Sequence, residues 1–314
     1  MSPISHAISG LGEAYDAKGQ YDQAMKYYED SLKMNKLIHK DRPHPDVAIS
    51  LNNLGTVYDN KGQYDQAMKY YKDSLKMNKL IHKDRPHPDV AISLNNLGTV
   101  YDNKGQYNQA MKCYKESLEM KKLIYKDHHP AVAASLNNLG GVYRAKGQYD
   151  QAMKYYEESL EMRKLIHKDR PHPDVASSLN NLGGMYLAKE QYDQAINYYE
   201  KSLKMRKLIY QDQPHPDIAK SLNNLGLAYV AKGEYKIALD YSNQALKIIS
   251  VFPNHSYQNT IQNFMAEVAE LINSSTTNQV NASDTSTNDN IDVDVSLLGD
   301  DSSAKDSPSY CQLL

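Results

Sequence analysis

The sequence is poor in the residues that usually build disulfide frameworks or large aromatic cores. Its 314 residues include no tryptophan, two phenylalanines and two cysteines. Because Cys113 and Cys311 cannot make a disulfide framework, we expect a soluble protein of a reducing compartment, the cytoplasm. Tyrosine occurs 26 times and is therefore predicted to fill the large aromatic positions of the core.

Neither charge nor hydropathy indicates a particular class of ligand. The formal net charge is −2, which is not typical of a nucleic-acid-binding protein. There is no apolar run of membrane-spanning length and no secretory signal sequence, so no membrane span is predicted.

The residues from Cys311 to Leu314 fit a prenylation box, although the flanking sequence is acidic rather than basic. Lipidation at Cys311 therefore stays a secondary alternative, since one lipid chain alone anchors weakly.

One short motif recurs along the chain and reveals its organisation. Leu-Asn-Asn-Leu-Gly occurs five times, at intervals of 42 or 43 residues, and a degraded copy from Ile8 to Gly12 precedes them. The glycines that end the six copies are Gly12, Gly55, Gly98, Gly140, Gly183 and Gly226. A fixed period of about 20 to 50 residues is typical of solenoids, propellers and arrays, whose units bury their apolar faces only by stacking.

Each repeat is predicted to form two helices. In the second repeat, apolar residues from Val47 to Tyr58 follow helical spacing along one face. Pro45 suits a first helical turn, and Gly62 suits the left-handed conformation that ends a helix. A second helix is predicted from Tyr64 to about Lys83, because the Asp-Arg-Pro-His-Pro sequence that follows cannot continue it.

The composition changes twice near the C-terminus. We assign residues 1–253 to six repeats and 254–273 to a capping helix with Ile261, Phe264 and Val268 on its apolar face. Residues 274–314 are rich in serine, threonine and asparagine and contain seven aspartates and one lysine. Such a segment cannot bury enough apolar surface to fold, so we predict a disordered acidic tail.

The repeat resembles the tetratricopeptide repeat. The residues that carry the resemblance in the second repeat are Leu51, Leu54, Gly55, Tyr58, Gly62, Tyr64, Ala67, Tyr71 and Ser74. The resemblance implies an all-α fold, a right-handed superhelix or α-solenoid of six helical hairpins. The longer repeat, with His-Pro-Asp-Val-Ala ahead of the motif, is similar to that of kinesin light chains and nephrocystin-3-like proteins.

That resemblance implies a non-catalytic scaffold or adaptor that holds extended peptide segments of partner proteins in a concave groove. A narrower alternative is a cargo adaptor like the kinesin light chains. No heptad coiled coil precedes the first repeat, so a motor heavy chain is not an expected partner. Another alternative is a regulatory repeat fragment or paralogue of a larger signalling enzyme or ATPase.

The groove is predicted to be lined by the first helix of each repeat. Its candidate peptide-binding residues are Asn52, Asn53, Asn95, Asn96, Asn137, Asn138, Asn180, Asn181, Asn223, Asn224, Asp59, Asp102 and Arg144. The groove should be weakly acidic in its first half and small and apolar beyond Arg144. An asparagine amide offers both a donor and an acceptor, so it can pair with a peptide backbone of any sequence. The alternative is that each asparagine pair ties one repeat to the next.

No catalytic or metal site is predicted. The recurring His-Pro histidines are His44, His87, His129, His172 and His215, and equivalent atoms of stacked repeats stand about 10 Å apart, too far for one zinc shell. The sequence has no phosphate-binding glycine loop and no nucleophile elbow. Cys113 replaces a tyrosine of the neighbouring repeats, which does not point to a nucleophile. We therefore expect no enzyme activity and no cofactor.

Overall fold

The computed structural model describes residues 3–125, 128–252 and 257–281 of the chain. Those residues form thirteen helices and no strand, which confirms the predicted all-α fold. The chain divides into two compact units, one up to Gly147 and one from Gln148. No helix in the described ranges combines the length and the apolar character needed to cross a membrane. Of the predicted tail, 274–314, the residues from 282 onward, with Cys311, lie outside these ranges.

Unit 1 consists of three helical hairpins and one further helix. Its helices are α1 (Pro3–Asp16), α2 (Tyr21–His39), α3 (Pro45–Asn60), α4 (Tyr64–His82), α5 (Pro88–Asn103), α6 (Tyr107–Ile124) and α7 (Pro130–Ala145). Each helix packs against the next along the chain. Helices α3, α5 and α7 carry the recurring asparagine motif, and α1 carries its degraded copy; these four are called the first helices of their repeats.

Unit 2 repeats this plan and ends differently. Its helices are α8 (Tyr149–His167), α9 (Pro173–Ala188), α10 (Tyr192–Ile209), α11 (Pro216–Ala231), α12 (Tyr235–Ile249) and α13 (Tyr257–Asn281). The hairpins α9–α10 and α11–α12 are complete repeats. The boundary between the two units falls inside the fourth sequence repeat, between α7 and α8.

The ends of the helices follow the predicted signals. Helix α3 begins at Pro45, and the Nδ1 atom of the preceding His44 accepts a hydrogen bond from the backbone N–H of Asp46 at 3.2 Å. A histidine caps α5, α7, α9 and α11 in the same way. After α3, Gly62 adopts a φ of 73°, a left-handed conformation that glycine reaches without strain. The His-Pro residues thus have a clear structural role.

Glycine and alanine let the helices of a hairpin pack closely. Ala67 in unit 1 and Ala195 in unit 2 are completely buried. A Cβ atom on Gly55 would lie 2.6 Å from the ring of Tyr71, a distance that real Cβ atoms do not show. The glycine of the motif is therefore small because the tyrosine ring of the second helix occupies the space beside it.

A buried polar side chain links each second helix to the first helix of the next repeat. In unit 1, Asn78 donates from Nδ2 to the Ser93 hydroxyl at 3.1 Å. In unit 2, Arg206 holds the same position, is 2 % exposed, and donates to the Asp217 carbonyl at 2.7 Å and the Ser221 hydroxyl at 2.9 Å. We call this position the clasp. It adds hydrogen bonds to a carbonyl in the first turn and to a serine hydroxyl of the next first helix.

Helix α13 covers the last complete hairpin of unit 2. Ile261, Phe264 and Val268 are buried in the same core cluster as the residues of α11 and α12. The helix begins at Tyr257 and ends at Asn281, whereas we expected it to span 254–273. Residues 274–281 contain no glycine or proline, so nothing in this stretch stops a helix that packing has already formed.

Candidate functional site

The asparagine motif of unit 1 forms hydrogen bonds from one repeat to the next. The second asparagine of α5, Asn96, donates from Nδ2 to Oδ1 of Asn52 at 2.9 Å. Asn138 donates in the same way to Asn95 at 3.1 Å. The second asparagine of each pair is thus a repeat-stacking residue, which is the alternative that the sequence left open.

The first asparagine of each pair has a different role in unit 1. The Oδ1 atoms of Asn52 and Asn95 are used by the next repeat, while their Nδ2 atoms make no hydrogen bond to other described residues. Both side chains are half-buried, so water or a ligand can reach them. About one helical turn before these asparagines, Ile49 and Ile92 are 40 % and 37 % exposed. Because residues three apart share a helix face, each isoleucine lies beside one of these asparagines.

The predicted acidic positions of unit 1 lie in a second row of hydrogen bonds. Asn103 donates from Nδ2 to Oδ1 of Asp59 at 3.0 Å, and Asn60 donates to Asp16 at 3.2 Å. Asp59 is buried. Its carboxylate therefore contributes a negative potential near the asparagines while being held by a neighbour.

The remaining predicted residues of unit 1 are less accessible or already bonded. Asn53 donates to the Ser9 hydroxyl at 3.4 Å, and Asn137 is only 6 % exposed. Asp102 and Arg144 are half-buried, and both interact with other protein groups. The accessible part of the predicted site is therefore centred on Asn52 and Asn95.

In unit 2 the same motif is enclosed. Asn224 donates from Nδ2 to Oδ1 of Asn180 at 2.8 Å, as in unit 1. However, Asn180, Asn181, Asn223 and Asn224 are all buried, with exposed fractions from 0 % to 6 %. The neighbouring positions, expected to line an apolar groove, are occupied by buried residues: Gly184, Leu187, Leu227 and Val230. In unit 2 these side chains are part of the core.

The Oδ1 atom of Asn223 marks the place where the row of asparagines ends. In the preceding repeats this atom accepts a hydrogen bond from the next asparagine pair, but α13 carries no such pair. The Asn223 oxygen is buried and has no hydrogen-bond partner among the described residues. An unsatisfied buried carbonyl oxygen destabilises the folded state by about 1–3 kcal/mol.

Histidines cluster at the repeat junctions, a feature that the sequence prediction missed. Each second helix α2, α4 and α8 ends in a histidine whose ring stacks on the capping histidine of the next helix, with centroids 3.3 to 3.4 Å apart. An aspartate of the following helix lies beside each pair. The Leu-Ile-His sequence that ends these helices was the available signal, because it places a second histidine five residues before each capping histidine.

Cys113 is buried in unit 1, and burial raises the pKa of its thiol to about 11. The thiolate is the nucleophilic form of cysteine, so this side chain is unreactive near neutral pH. Its surroundings are the apolar ones expected of a residue that replaces a packed tyrosine.

These helical hairpins, with glycine and tyrosine in contact and a repeat of 42 to 43 residues, define a class of repeat proteins that bury their core by stacking. The tetratricopeptide repeat family model matches residues 4–79, 89–164 and 174–250. The chain belongs to the tetratricopeptide repeat family. No curated protein matches the sequence significantly.

Several solved structures share this fold. BtubC (BKLC) from P. vanneervenii superposes with a TM-score of 0.65 at 22 % identity, covering 75 % of this chain and 93 % of that one. A putative kinesin light chain of Podosopora anserina gives a TM-score of 0.57 at 21 % identity, covering 67 % of this chain and 99 % of that one. A signal transduction ATPase with a tetratricopeptide repeat sensor from Pyrococcus horikoshii gives a TM-score of 0.65 at 18 % identity, covering 85 % of this chain and 39 % of that one. At these identities the likeness concerns the fold.

Proposed function

We propose that this protein is a non-catalytic scaffold that binds extended peptide segments of partner proteins along the asparagine face of unit 1. This face is defined by Ile49, Asn52, Ile92 and Asn95. The observation that supports the proposal is the pair of accessible Nδ2 donors on Asn52 and Asn95. The bond to the next repeat fixes the orientation of each amide, so both donors are held in place before a ligand arrives.

The spacing of the donors suits a peptide backbone. Neighbouring packed helices lie about 8–10 Å apart, which sets the distance between equivalent atoms of consecutive first helices. A polyproline II segment advances about 3.1 Å per residue and presents the same side every third residue, about 9 Å on. Asn52 and Asn95 could therefore donate to two backbone carbonyls three residues apart.

The groups around the donors add selectivity. Ile49 and Ile92 offer apolar contacts for side chains of the ligand, about one per repeat. Asp59, in the second row of hydrogen bonds, leaves a negative charge nearby, which favours ligands without acidic residues at that place. We therefore expect ligands with apolar side chains on one side of an extended backbone and basic or neutral residues elsewhere.

The donor hypothesis is tested by replacing asparagine with aspartate. Asn52→Asp with Asn95→Asp keeps an oxygen that can accept from Asn96 and Asn138, while it replaces each proposed donor with an acceptor and adds one negative charge per site. Each lost hydrogen bond costs about 0.5–1.5 kcal/mol, so binding should weaken by roughly 5- to 150-fold. The probe is a set of 12-residue peptides selected from a random displayed library on the wild-type chain, with affinities measured by fluorescence anisotropy.

The matched control is Asn197→Asp, which makes the same change at an exposed position of α10 in unit 2. It should leave affinity within about twofold of wild type. Circular dichroism should show equal helicity for all variants, because asparagine and aspartate have similar helix propensities. Peptides that bind the double variant as tightly as wild type would assign the asparagines to repeat stacking alone.

A further inference from the structure

Two histidines and one aspartate converge at three of the repeat junctions. The three clusters are His39, His44 and Asp46 between α2 and α3; His82, His87 and Asp89 between α4 and α5; and His167, His172 and Asp174 between α8 and α9. In each cluster one ligand atom per residue lies within 4.8 Å of the others. The ligands come from the last residue of one helix, the cap of the next helix, and its first turn.

We propose that each of these three junctions binds one divalent transition-metal ion of the zinc class. In the first cluster, Asp46 Oδ2 lies 3.2 Å from His39 Nε2 and 3.6 Å from His44 Nδ1. Zinc bonds of about 2.0–2.2 Å place neighbouring ligand atoms of a tetrahedral site about 3.3 Å apart. The distances from the carboxylate oxygen to the two histidine nitrogens therefore already approach those of a first coordination shell.

The other two clusters have similar dimensions. Asp89 Oδ2 lies 3.4 Å from His82 Nε2 and 3.5 Å from His87 Nδ1. The third cluster is slightly wider, with corresponding distances of 4.0 and 3.7 Å from Asp174. In the second cluster, His82 Nε2 is buried and forms no hydrogen bond with correct geometry to any described residue. A buried imidazole nitrogen without such a partner is a site where an ion is favourable.

The ligand chemistry fits this class of ion. Imidazole nitrogens suit zinc, copper and nickel, and a carboxylate completes a set of two nitrogens and one oxygen. Three protein ligands leave a fourth position for water, as in other open zinc sites. The negative carboxylate also offsets the charge of the ion beside the N-terminus of the helix.

Binding requires one local rearrangement. The rings of His39 and His44 stack with an interplanar angle of 8°, so their lone pairs point side by side. A rotation of the rings about the Cβ–Cγ bond turns the nitrogens towards a common ion. The hydrogen bond from the Asp46 N–H to His44 Nδ1 is also lost, because the single lone pair of Nδ1 cannot accept that bond and bind the ion at the same time. The ion would then join consecutive repeats directly.

Two further junctions of the same chain lack the complete ligand set. Tyr125 stacks on His129 at 3.6 Å, and Ala131 stands where the others have aspartate. Tyr210 stacks on His215 at 3.5 Å, and its hydroxyl donates to Asp217 Oδ2 at 2.7 Å. Tyrosine thus replaces histidine without loss of the ring stacking. A histidine-to-tyrosine substitution at the other three junctions should therefore remove a ligand and keep the stack.

The test counts bound ions on the full chain without a purification tag. The metal-free protein is dialysed to equilibrium against Zn²⁺, and bound zinc is measured by atomic emission. We expect three more ions per chain for wild type than for the variant His39→Tyr, His82→Tyr, His167→Tyr. Zinc should also raise the Tm of wild type and leave that of the variant unchanged, because binding to the folded state stabilises it.

Two single variants sharpen the test in the opposite direction. Tyr210→His completes a histidine, histidine and aspartate set with His215 and Asp217, so it should bind one additional ion. Tyr125→His does not, because Ala131 supplies no carboxylate, and it should bind as many ions as wild type. Circular dichroism confirms folding of each variant. Equal zinc content in wild type and the triple variant, or no gain with Tyr210→His, would overturn the proposal.

Discussion

The same asparagine motif has two environments in this chain. In unit 1, Asn52 and Asn95 are half-buried and have neighbouring polar residues, whereas in unit 2 Asn180 and Asn223 are 4 % and 1 % exposed. The hydrogen bond between consecutive repeats is present in both units, at 2.9 Å and 2.8 Å. The motif is therefore sufficient for the hydrogen bond between consecutive repeats. The residues packed around the motif determine whether a ligand can reach its asparagine side chains.

The clasp position shows a second contrast between the units. Asn35 and Asn78 occupy it in the first two repeats, whereas Arg163 and Arg206 occupy it in unit 2. All four donate to a serine of the next first helix. Lys121, at the clasp of the third repeat in unit 1, likewise donates to the Ser135 hydroxyl at 2.8 Å. The neutral amide is thus confined to the first two repeats, whereas the later clasps bury a positive charge, so the two kinds of clasp should respond differently when they are removed.

The largest effect is expected from a charge placed at the closest helix contact of either unit. Ala67→Arg in unit 1 and Ala195→Arg in unit 2 each bury an unpaired cation at a fully buried alanine. Each should destabilise its own unit by about 3–5 kcal/mol. Thermal unfolding followed by circular dichroism measures the loss. Gln66→Arg and Gln194→Arg, at adjacent exposed positions, are the controls and should change stability by less than about 0.5 kcal/mol.

An intermediate effect should distinguish the two clasps. Arg206→Met removes two hydrogen bonds from a charged donor and should cost about 2–3 kcal/mol, because the Asp217 carbonyl and Ser221 hydroxyl lose this donor. Asn78→Leu in unit 1 removes neutral bonds of 3.1 and 3.4 Å and should cost about 1 kcal/mol. Urea unfolding gives both values. A larger loss for Asn78→Leu would contradict the idea that unit 2 depends on its buried charge.

The smallest effect is expected from the pH dependence that two capping histidines, one in each unit, contribute to stability. Burial lowers the pKa of His129 in unit 1 and of His215 in unit 2 below the ordinary value. Nearby Lys121 lowers the pKa of His129 further, and at His215 the raising effect of Asp217 is opposed by the lowering effects of Arg206 and Lys220. The unfolded chain therefore binds protons first as pH falls below about 6.5, and the free energy of unfolding decreases towards each folded-state pKa.

Replacement of each cap by asparagine isolates this effect. Asparagine is a good N-cap that does not titrate, so stability at pH 7.5 should be kept. The decrease in stability between pH 7.5 and 5.5, measured by urea unfolding, should be reduced by His129→Asn and by His215→Asn. An equal pH dependence of wild type and both variants would show that these histidines titrate alike in the folded and unfolded chain.

Much of the fold could be predicted because its determinants are local and repeated. Pro45 and Gly62 mark helix ends through backbone geometry alone, and the structure has them within a residue or two of the predicted places. Ala67, one of the residues that carry the family resemblance, is fully buried. The length of α13 was less predictable, because polar residues are compatible with either a helix or a tail when no breaker is present.

The sequence by itself determined the repeat, its helical hairpins and the row of asparagines, because periodic patterns of apolar, glycine and proline residues act within one repeat. Only the tertiary structure decided which asparagine stacks repeats, where the row is accessible, and that His39 meets His44. Those properties depend on distances between side chains of different helices, which spacing along a chain does not contain. Burial is likewise a collective property: Asn52 and Asn180 share a motif, and the residues packed around each one set its exposure.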